Sequence, residues 1–338
     1  MSDLKTAAIP SGEVEFDLLV IGAGPTGLAC AIEAQRAGLR VVLIEKGCVC
    51  NSLFHYPAHM TFFTTPELLE IGGIPFPSTN QKPTRNEALE YYRQVAAYFR
   101  LNIQLYRRVL AVQGEDGDFR VLTQDRFERK ATVRTRKIVV ATGYYDLPNR
   151  LHILGEEMSK VHHYYDDPYP YSGMDVIVIG GKNSAAIAAL ELWRHGARVT
   201  LVHRGAGIGE HVKYWIKPDL ENRIKNGEIQ ALFQSKVVEI GQDTVVVEGS
   251  EGRQTLKNDF VFALIGYHPD FAFLEMLGVR LEGEDRLPVC DAETFESNVK
   301  GIYLAGVIVA GARTNEIFIE NGRFHGVKIA EHLRQAIQ

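Results

Sequence analysis

Apolar runs and helical spacings follow one another in this chain in a fixed order. Leu18-Leu19-Val20-Ile21 is a continuous apolar run of strand length, and it passes straight into Gly22-Ala23-Gly24-Pro25-Thr26-Gly27. Residues 28–37 then read as a helix, and Arg40-Val41-Val42-Leu43-Ile44 as a second strand that ends on Glu45. Apolar runs without polar alternation belong to strands covered on both faces, as in a parallel sheet. Residues 84–100 have helical spacing, with Ala88, Leu89, Tyr92, Val95, Ala96 and Phe99 on one side, and 103–106 read as a short parallel strand. Residues 109–112, 119–123 and 131–136 alternate as a three-stranded meander does, with turns such as Gly114-Glu115-Asp116-Gly117 between them. The chain then returns through Lys137-Ile138-Val139-Val140 into Ala141-Thr142-Gly143.

The opening pattern occurs twice. Adding 158 to each number carries Asp17 to Asp175, Gly22 to Gly180, Arg36 to Arg194, Gly38 to Gly196 and Arg40 to Arg198, with no gap. The second copy reads Asp175-Val176-Ile177-Val178-Ile179-Gly180-Gly181-Lys182-Asn183-Ser184-Ala185, then a helix, then Arg198-Val199-Thr200-Leu201-Val202. A strand at 229–233, a hairpin of 237–240 with 244–248, and a final apolar strand at 260–266 repeat the plan of the first half. The apolar run 301–306 and a helix over 321–336 close the chain. These elements predict an α/β fold of two Rossmann-like, three-layer β/β/α domains. One comprises 1–150 and 267–338; the other, 151–266, is inserted into it.

Strand, glycine turn, helix, strand and terminal acid together suit a dinucleotide. Gly22 allows the tight turn, Gly24 lets a pyrophosphate approach the backbone, and Gly27 lets helix and strand pack closely. The helix N-terminus, entered through Pro25 and Thr26, offers free N–H groups and a positive dipole end. Glu45 can accept hydrogen bonds from ribose hydroxyls. In the second copy Glu45 becomes His203, followed by Arg204. An acid repels a 2′-phosphate, whereas His-Arg attracts one. The first copy therefore suits FAD and the second NADPH. A strand ending in Ala141-Thr142-Gly143 is a further flavoprotein mark, and the aromatic-rich loop after Glu45, with Lys46, Ser52 and His59, is expected to run along the flavin. Val109, Gly306, Val307 and Glu316 complete the expected FAD set. Gly180, Gly181, Lys182, Asn183, Ser184, Ala185, His203, Arg204 and Gly266 form the expected NADPH set. The C-terminal helix is expected to aim its N-terminus at the flavin pyrimidine.

Composition narrows the partners. The chain has 338 residues, 46% of them hydrophobic, and a net charge of −5, which advertises neither nucleic acid nor an anionic membrane. No apolar run is long enough to span a bilayer, and residues 1–14 are expected to be a loose leader without a signal-peptide pattern. A cytoplasmic homodimer is the expectation. The cysteines Cys30, Cys48, Cys50 and Cys290 are too few and scattered for a disulfide scaffold. His162 and His163 are adjacent, so in extended backbone they point to opposite faces, and no metal site is expected.

Over almost its whole length the chain resembles the low-molecular-weight thioredoxin reductase superfamily, on its paired glycine motifs, Ala141-Thr142-Gly143 and inserted second module. The resemblance places a Cys-x-x-Cys near residues 163–166, where this chain has His163-Tyr164-Tyr165-Asp166, so thioredoxin reduction by that dithiol is not expected. More closely it resembles the YpdA family of putative bacillithiol disulfide reductases. The resemblance rests on Asn51-Ser52, on Tyr56-Pro57-Ala58-His59-Met60-Thr61-Phe62-Phe63-Thr64-Thr65-Pro66-Glu67, on Gly180-Gly181-Lys182-Asn183-Ser184-Ala185, and on Glu316-Ile317-Phe318-Ile319-Glu320-Asn321-Gly322-Arg323-Phe324-His325-Gly326. It implies an NADPH-dependent FAD reductase of a small disulfide. It also implies a redox cysteine in the first glycine motif, where this chain has Thr26, and a Gly-Asp near the ribityl chain, where it has Gly306-Val307. Among the cysteines present, Cys48 and Cys50, just past Glu45, are the weak candidates for a redox thiol. A ferredoxin or flavodoxin reductase, a flavin monooxygenase and a non-catalytic flavin and NADPH sensor are the alternative readings.

Overall fold

The structure, a computed structural model, describes residues 15–336; the expected leader, 1–14, lies outside the described residues. The chain divides into two compact units. Among the described residues, one holds Glu15–His55, His59–Leu147 and 267–336; the other holds Tyr56–Ala58 and Pro148–Gly266.

In the first unit, strands β1 (Glu15–Ile21), β2 (Val41–Ile44) and β3 (Ile103–Gln104) run parallel, with β1 between β2 and β6 (Lys130–Val140). Leu18, Leu19 and Val20 are fully buried, as are Ile138, Val139 and Val140 on the neighbouring strand. Burial on both faces explains why these strands are apolar without alternation. Helix α1 (Pro25–Arg36) begins at Gly24 with no side-chain cap, which leaves its first N–H groups for a ligand.

The third meander strand and the returning core strand are one element. β6 pairs over its first half antiparallel with β5 (Asp118–Asp125) and over its last three residues parallel with Ile302–Leu304, while β1 lies along its other side. Arg136 and Lys137 carry no turn residue between them, so the strand continues where the sequence suggested two. β4 (Arg107–Glu115) completes the meander. The 84–100 helix is Arg85–Tyr98, opened by a capping box: the Thr84 hydroxyl accepts from the Glu87 N–H, and the Glu87 carboxylate accepts from the Thr84 N–H at 2.7 Å.

The expected closing helix is two. Ile319–Gly322 ends at Arg323, and His325–Ala336 starts afresh. Two close approaches hold the pieces. A Cβ on Gly322 would lie 3.3 Å from the Thr26 hydroxyl, and one on Gly326 would lie 2.8 Å from the Cα of Cys30, so both pieces pack directly on α1. Arg323, at the break, donates to the carbonyls of Glu67 and Glu70.

The second unit has a five-stranded parallel sheet in the order Gln230–Leu232, Arg198–Val202, Asp175–Ile179, Phe260–Ala263, Val161–His162. Its antiparallel sheet is a three-stranded one, Lys236–Ile240, Thr244–Gly249 and Gly252–Lys257; the last strand, polar and exposed, carried no apolar signal. The helix after its glycine turn is Asn183–Arg194, offset from α1 by the same 158 at both ends. The offset also preserves an ion pair: Arg40 reaches Asp17 at 3.1 Å, and Arg198 reaches Asp175 at 2.6 Å.

Candidate active site

Both glycine turns are built against the end of a neighbouring strand. Gly22 has φ +106°, and a Cβ there would lie 2.5 Å from the Ala141 carbonyl oxygen. Gly180 has φ +146°, and a Cβ there would lie 2.5 Å from the Leu264 carbonyl oxygen. A side chain is excluded at both positions by conformation and by space. Gly27 is as confined, since its Cβ would lie 2.1 Å from the Gly22 carbonyl oxygen, whereas Gly24 has no heavy atom within 4 Å of that position. Open space beside an uncapped helix N-terminus is what a pyrophosphate requires, so the first turn fits a dinucleotide.

Around this turn the first unit gathers most of the expected residues. The buried Glu45 carboxylate accepts the Ala23 N–H at 2.8 Å and the Gly47 N–H at 2.8 Å, one on each oxygen. Burial pushes its carboxyl up, and the two backbone bonds oppose that. Each oxygen keeps a second lone pair for a ribose hydroxyl. Lys46 pairs with Asp146 at 2.6 Å, tying the loop after Glu45 to the loop after Gly143. Gly143 has φ +72°, and a Cβ there would stand 4.0 Å from the Ser52 hydroxyl. Thr26 packs on Gly306, whose Cβ would lie 3.1 Å from its hydroxyl oxygen, and Val307 follows, half-buried, in the short 3-10 helix Gly306–Ala310. Val109 lies in the apolar core with Phe119 and Val121. His59 is exposed, and Glu316 is exposed and paired with Arg313 at 3.1 Å.

In the second unit, Lys182 occupies the N-cap position without a side-chain cap bond, Ser184 is exposed, and Ala185 is buried against Gly180. The Asn183 amide donates to the His211 carbonyl at 3.1 Å and accepts from the Lys213 N–H at 3.0 Å, pinning the loop that follows His203. A Cβ on Gly181 would lie 2.3 Å from the His203 ring, so the imidazole stands flat against that glycine. Burial and the neighbouring Arg204 lower the His203 pKa from 6.5, so at neutral pH the ring is uncharged and exposed Arg204 carries the positive charge. Gly266, at φ +99°, lies beside the Asn149 amide.

None of the thiols is activated. Cys30, inside α1, is pushed up to about 12 by burial. Cys50 is buried at a left-handed φ of 56° and is raised well above 9.0. Cys48 is raised by burial and by Glu45, and Cys290 by burial and Asp291. A redox thiol works as its thiolate, and these surroundings oppose it at Cys48 and Cys50 alike. All four cysteines are free.

Two features of the site were not read from the sequence. One is the contact of the His203 ring with Gly181, signalled only by the replacement of Ala23 by glycine in the second copy. The other is His325, whose Nδ1 accepts the Gly306 N–H at 3.1 Å; a histidine at a helix start gives no sequence signal of its own.

Among the described residues no helix is long and apolar enough to cross a membrane. The family model described as pyridine nucleotide-disulphide oxidoreductase matches residues 19–306. The chain is 45% identical over 324 residues to a protein of Bacillus subtilis named bacilliredoxin reductase Bdr, covering 95% of this chain and 98% of the relative. Solved structures titled bacillithiol disulfide reductase Bdr (YpdA) superpose on it: one from Bacillus cereus with a TM-score of 0.94 at 45% identity, covering 96% of this chain and all of that one, and one from Staphylococcus aureus with a TM-score of 0.92 at 40% identity, covering 96% and 99%. The family is one of flavin and nicotinamide enzymes. With two glycine turns of this geometry and kinship over its whole length, the chain belongs to the pyridine nucleotide-disulphide oxidoreductases and, within them, to the YpdA group.

Proposed function

We propose that the chain is an NADPH-dependent, FAD-containing reductase of a low-molecular-weight disulfide of the bacillithiol type. The names of its relatives supply the acceptor class, since all three are called reductases of bacillithiol disulfide or of bacilliredoxin. The observation that carries the cofactor assignment is the exchange at the end of the second strand. Glu45 accepts two backbone N–H groups and leaves lone pairs toward a ribose, a setting hostile to a 2′-phosphate. His203 and Arg204 present a ring and a cation at the equivalent place. A charge-assisted contact there is worth roughly 1.5–3 kcal/mol, or about ten- to hundred-fold in affinity.

The net reaction consumes NADPH, one proton and a disulfide, and yields NADP⁺ and two thiols. A bound flavin supplies the two-electron relay between nicotinamide and disulfide. The chain's own residues bind and orient. The N-terminus of α1 and the Gly24 opening receive the pyrophosphate, Glu45 holds the ribose, and Ser52, Gly143 and Gly306 line the path beyond the turn. All four thiols are pushed up and Thr26 stands in the first motif, so the proposed route assigns no redox role to a cysteine.

Coupled assays test this reading. NADPH oxidation is expected to accelerate when bacillithiol disulfide is added, with two thiols released per NADPH, and the Cys48→Ser and Cys50→Ser variants are expected to turn over like the parent. Acceleration by ferredoxin but not by the disulfide would overturn the reading.

A further inference from the structure

His325 is buried at the first position of helix His325–Ala336, and its ring stacks on Phe295 with centroids 4.0 Å apart. Its Nδ1 accepts the Gly306 N–H at 3.1 Å. Only an unprotonated nitrogen can accept, so the ring carries its hydrogen on Nε2. Burial, with Lys328 adding to it, depresses the pKa to about 4, which keeps Nδ1 free at working pH.

The N–H so held belongs to a constrained residue. Gly306 has φ +79° and is confined on two sides: its Cβ would lie 3.1 Å from the Thr26 hydroxyl, and its own Cα lies within 3.3 Å of the place a Gly322 Cβ would take. Gly306 also follows a strand, Ile302–Leu304. Leu304 pairs with Val140, and Val140 with Ile21, so Gly306, Gly143 and Gly22 follow the carboxyl ends of three adjacent parallel strands. Ligands of open α/β sheets bind along that edge. The break at Arg323 lets the second helix piece begin with His325 facing this edge.

We propose that His325 is a positioning residue for the flavin: through the Gly306 N–H it sets the left-handed Gly306, and Val307 after it, against Thr26, and so fixes the backbone that meets the cofactor. This rests on the FAD reading given above. His325→Phe keeps the ring on Phe295 and removes the acceptor. His325→Asn removes the ring and returns an acceptor at the reach of Nδ1. Phe295→Leu disturbs the stack and leaves Nδ1 in place.

The experiment measures, on the purified holoenzymes, the rate of flavin release on dilution and the flavin midpoint potential. His325→Phe is expected to release flavin about ten-fold faster or more, the consequence of a buried N–H without a partner, and to shift the potential. His325→Asn is expected to stay within about three-fold of the parent, and Phe295→Leu to lose thermal stability with flavin release and potential unchanged. Should His325→Phe fail to fold, His325→Leu, which also lacks an acceptor for the Gly306 N–H, takes its place against the same two controls. Flavin retention by His325→Phe at the parent's rate and potential would overturn the inference. So would flavin loss in Phe295→Leu matching that of His325→Phe, since the histidine would then act only by packing. A parent protein that holds no flavin would overturn the proposed function and this inference with it.

Discussion

The two glycine turns share one frame and differ in what meets the residue after the first glycine. In both, a glycine at positive φ sits on the carbonyl that ends a neighbouring strand, at the same 2.5 Å, and a helix of the same length leaves the turn without a side-chain cap. In the first, the residue after the glycine is Ala23, and its N–H is accepted by the Glu45 carboxylate. In the second, it is Gly181, and the His203 ring covers it where a Cβ would stand. A carboxylate approaches along the N–H and tolerates an alanine; an imidazole laid flat on the backbone does not. The pair Ala23–Glu45 has its counterpart in Gly181–His203, and on the proposed reading this exchange, with Arg204, replaces a hydrogen-bond acceptor for a ribose by a cation for a 2′-phosphate.

The frame itself yields the largest expected effect. Gly22→Ala and Gly180→Ala each force a positive φ and a carbonyl clash, and each is expected to cost roughly 3 kcal/mol or more. Denaturant unfolding checks this; a large loss in one turn only would break the equivalence. Next comes Glu45→Ala, which strands two backbone N–H groups and is expected to cost about 2–4 kcal/mol and to strip flavin from the first unit, read as loss of yellow colour on gel filtration. Arg204→Ala is expected to weaken NADPH about ten- to hundred-fold and NADH little, measured by the nucleotide concentration that half-reduces the flavin. Equal losses would make Arg204 structural.

The smallest effect tests the ion pairs that both modules keep. At Asp175 the bonds from Arg198 and Lys257, against some burial, hold the carboxyl at about 2. At Asp17 burial raises the pKa, but Arg40 and Arg136 outweigh it and the net shift is downward. A depressed carboxylate stabilises the fold above its ordinary value of 3.8 and loses that contribution as pH falls toward 2. Solvent screening reduces the contribution to about 0.5–1 kcal/mol. Asp175→Asn is therefore expected to lower stability slightly at pH 7 and to remove part of the acid slope between about pH 4 and 2. An unchanged slope would assign the acid loss to other carboxylates.

The frame was legible in the sequence because glycine turns and doubly covered strands leave unambiguous marks. The offset of 158 located both turns, both following helices and both second strands. What escaped had weaker local signals. The polar strand Gly252–Lys257 has no apolar face to betray it. The continuity of Lys130–Val140 depends on partners that change along its length, and the break at Arg323 depends on glycines 322 and 326 meeting α1. His325 and the His203 ring act through backbone groups far away in sequence, at Gly306 and Gly181, which no spacing rule connects.

The central claim, that the exchange of Ala23–Glu45 for Gly181–His203 with Arg204 divides the two cofactors between the modules, has a direct test. The purified protein is titrated anaerobically with NADPH and with NADH while flavin absorbance is followed, alongside a variant carrying His203→Glu and Arg204→Ala. The account predicts a yellow protein that NADPH reduces at about ten- to hundred-fold lower concentration than NADH, and a variant in which that preference is lost while the flavin stays bound. A parent protein reduced equally by both nucleotides, or a variant that keeps the preference for NADPH, would contradict it.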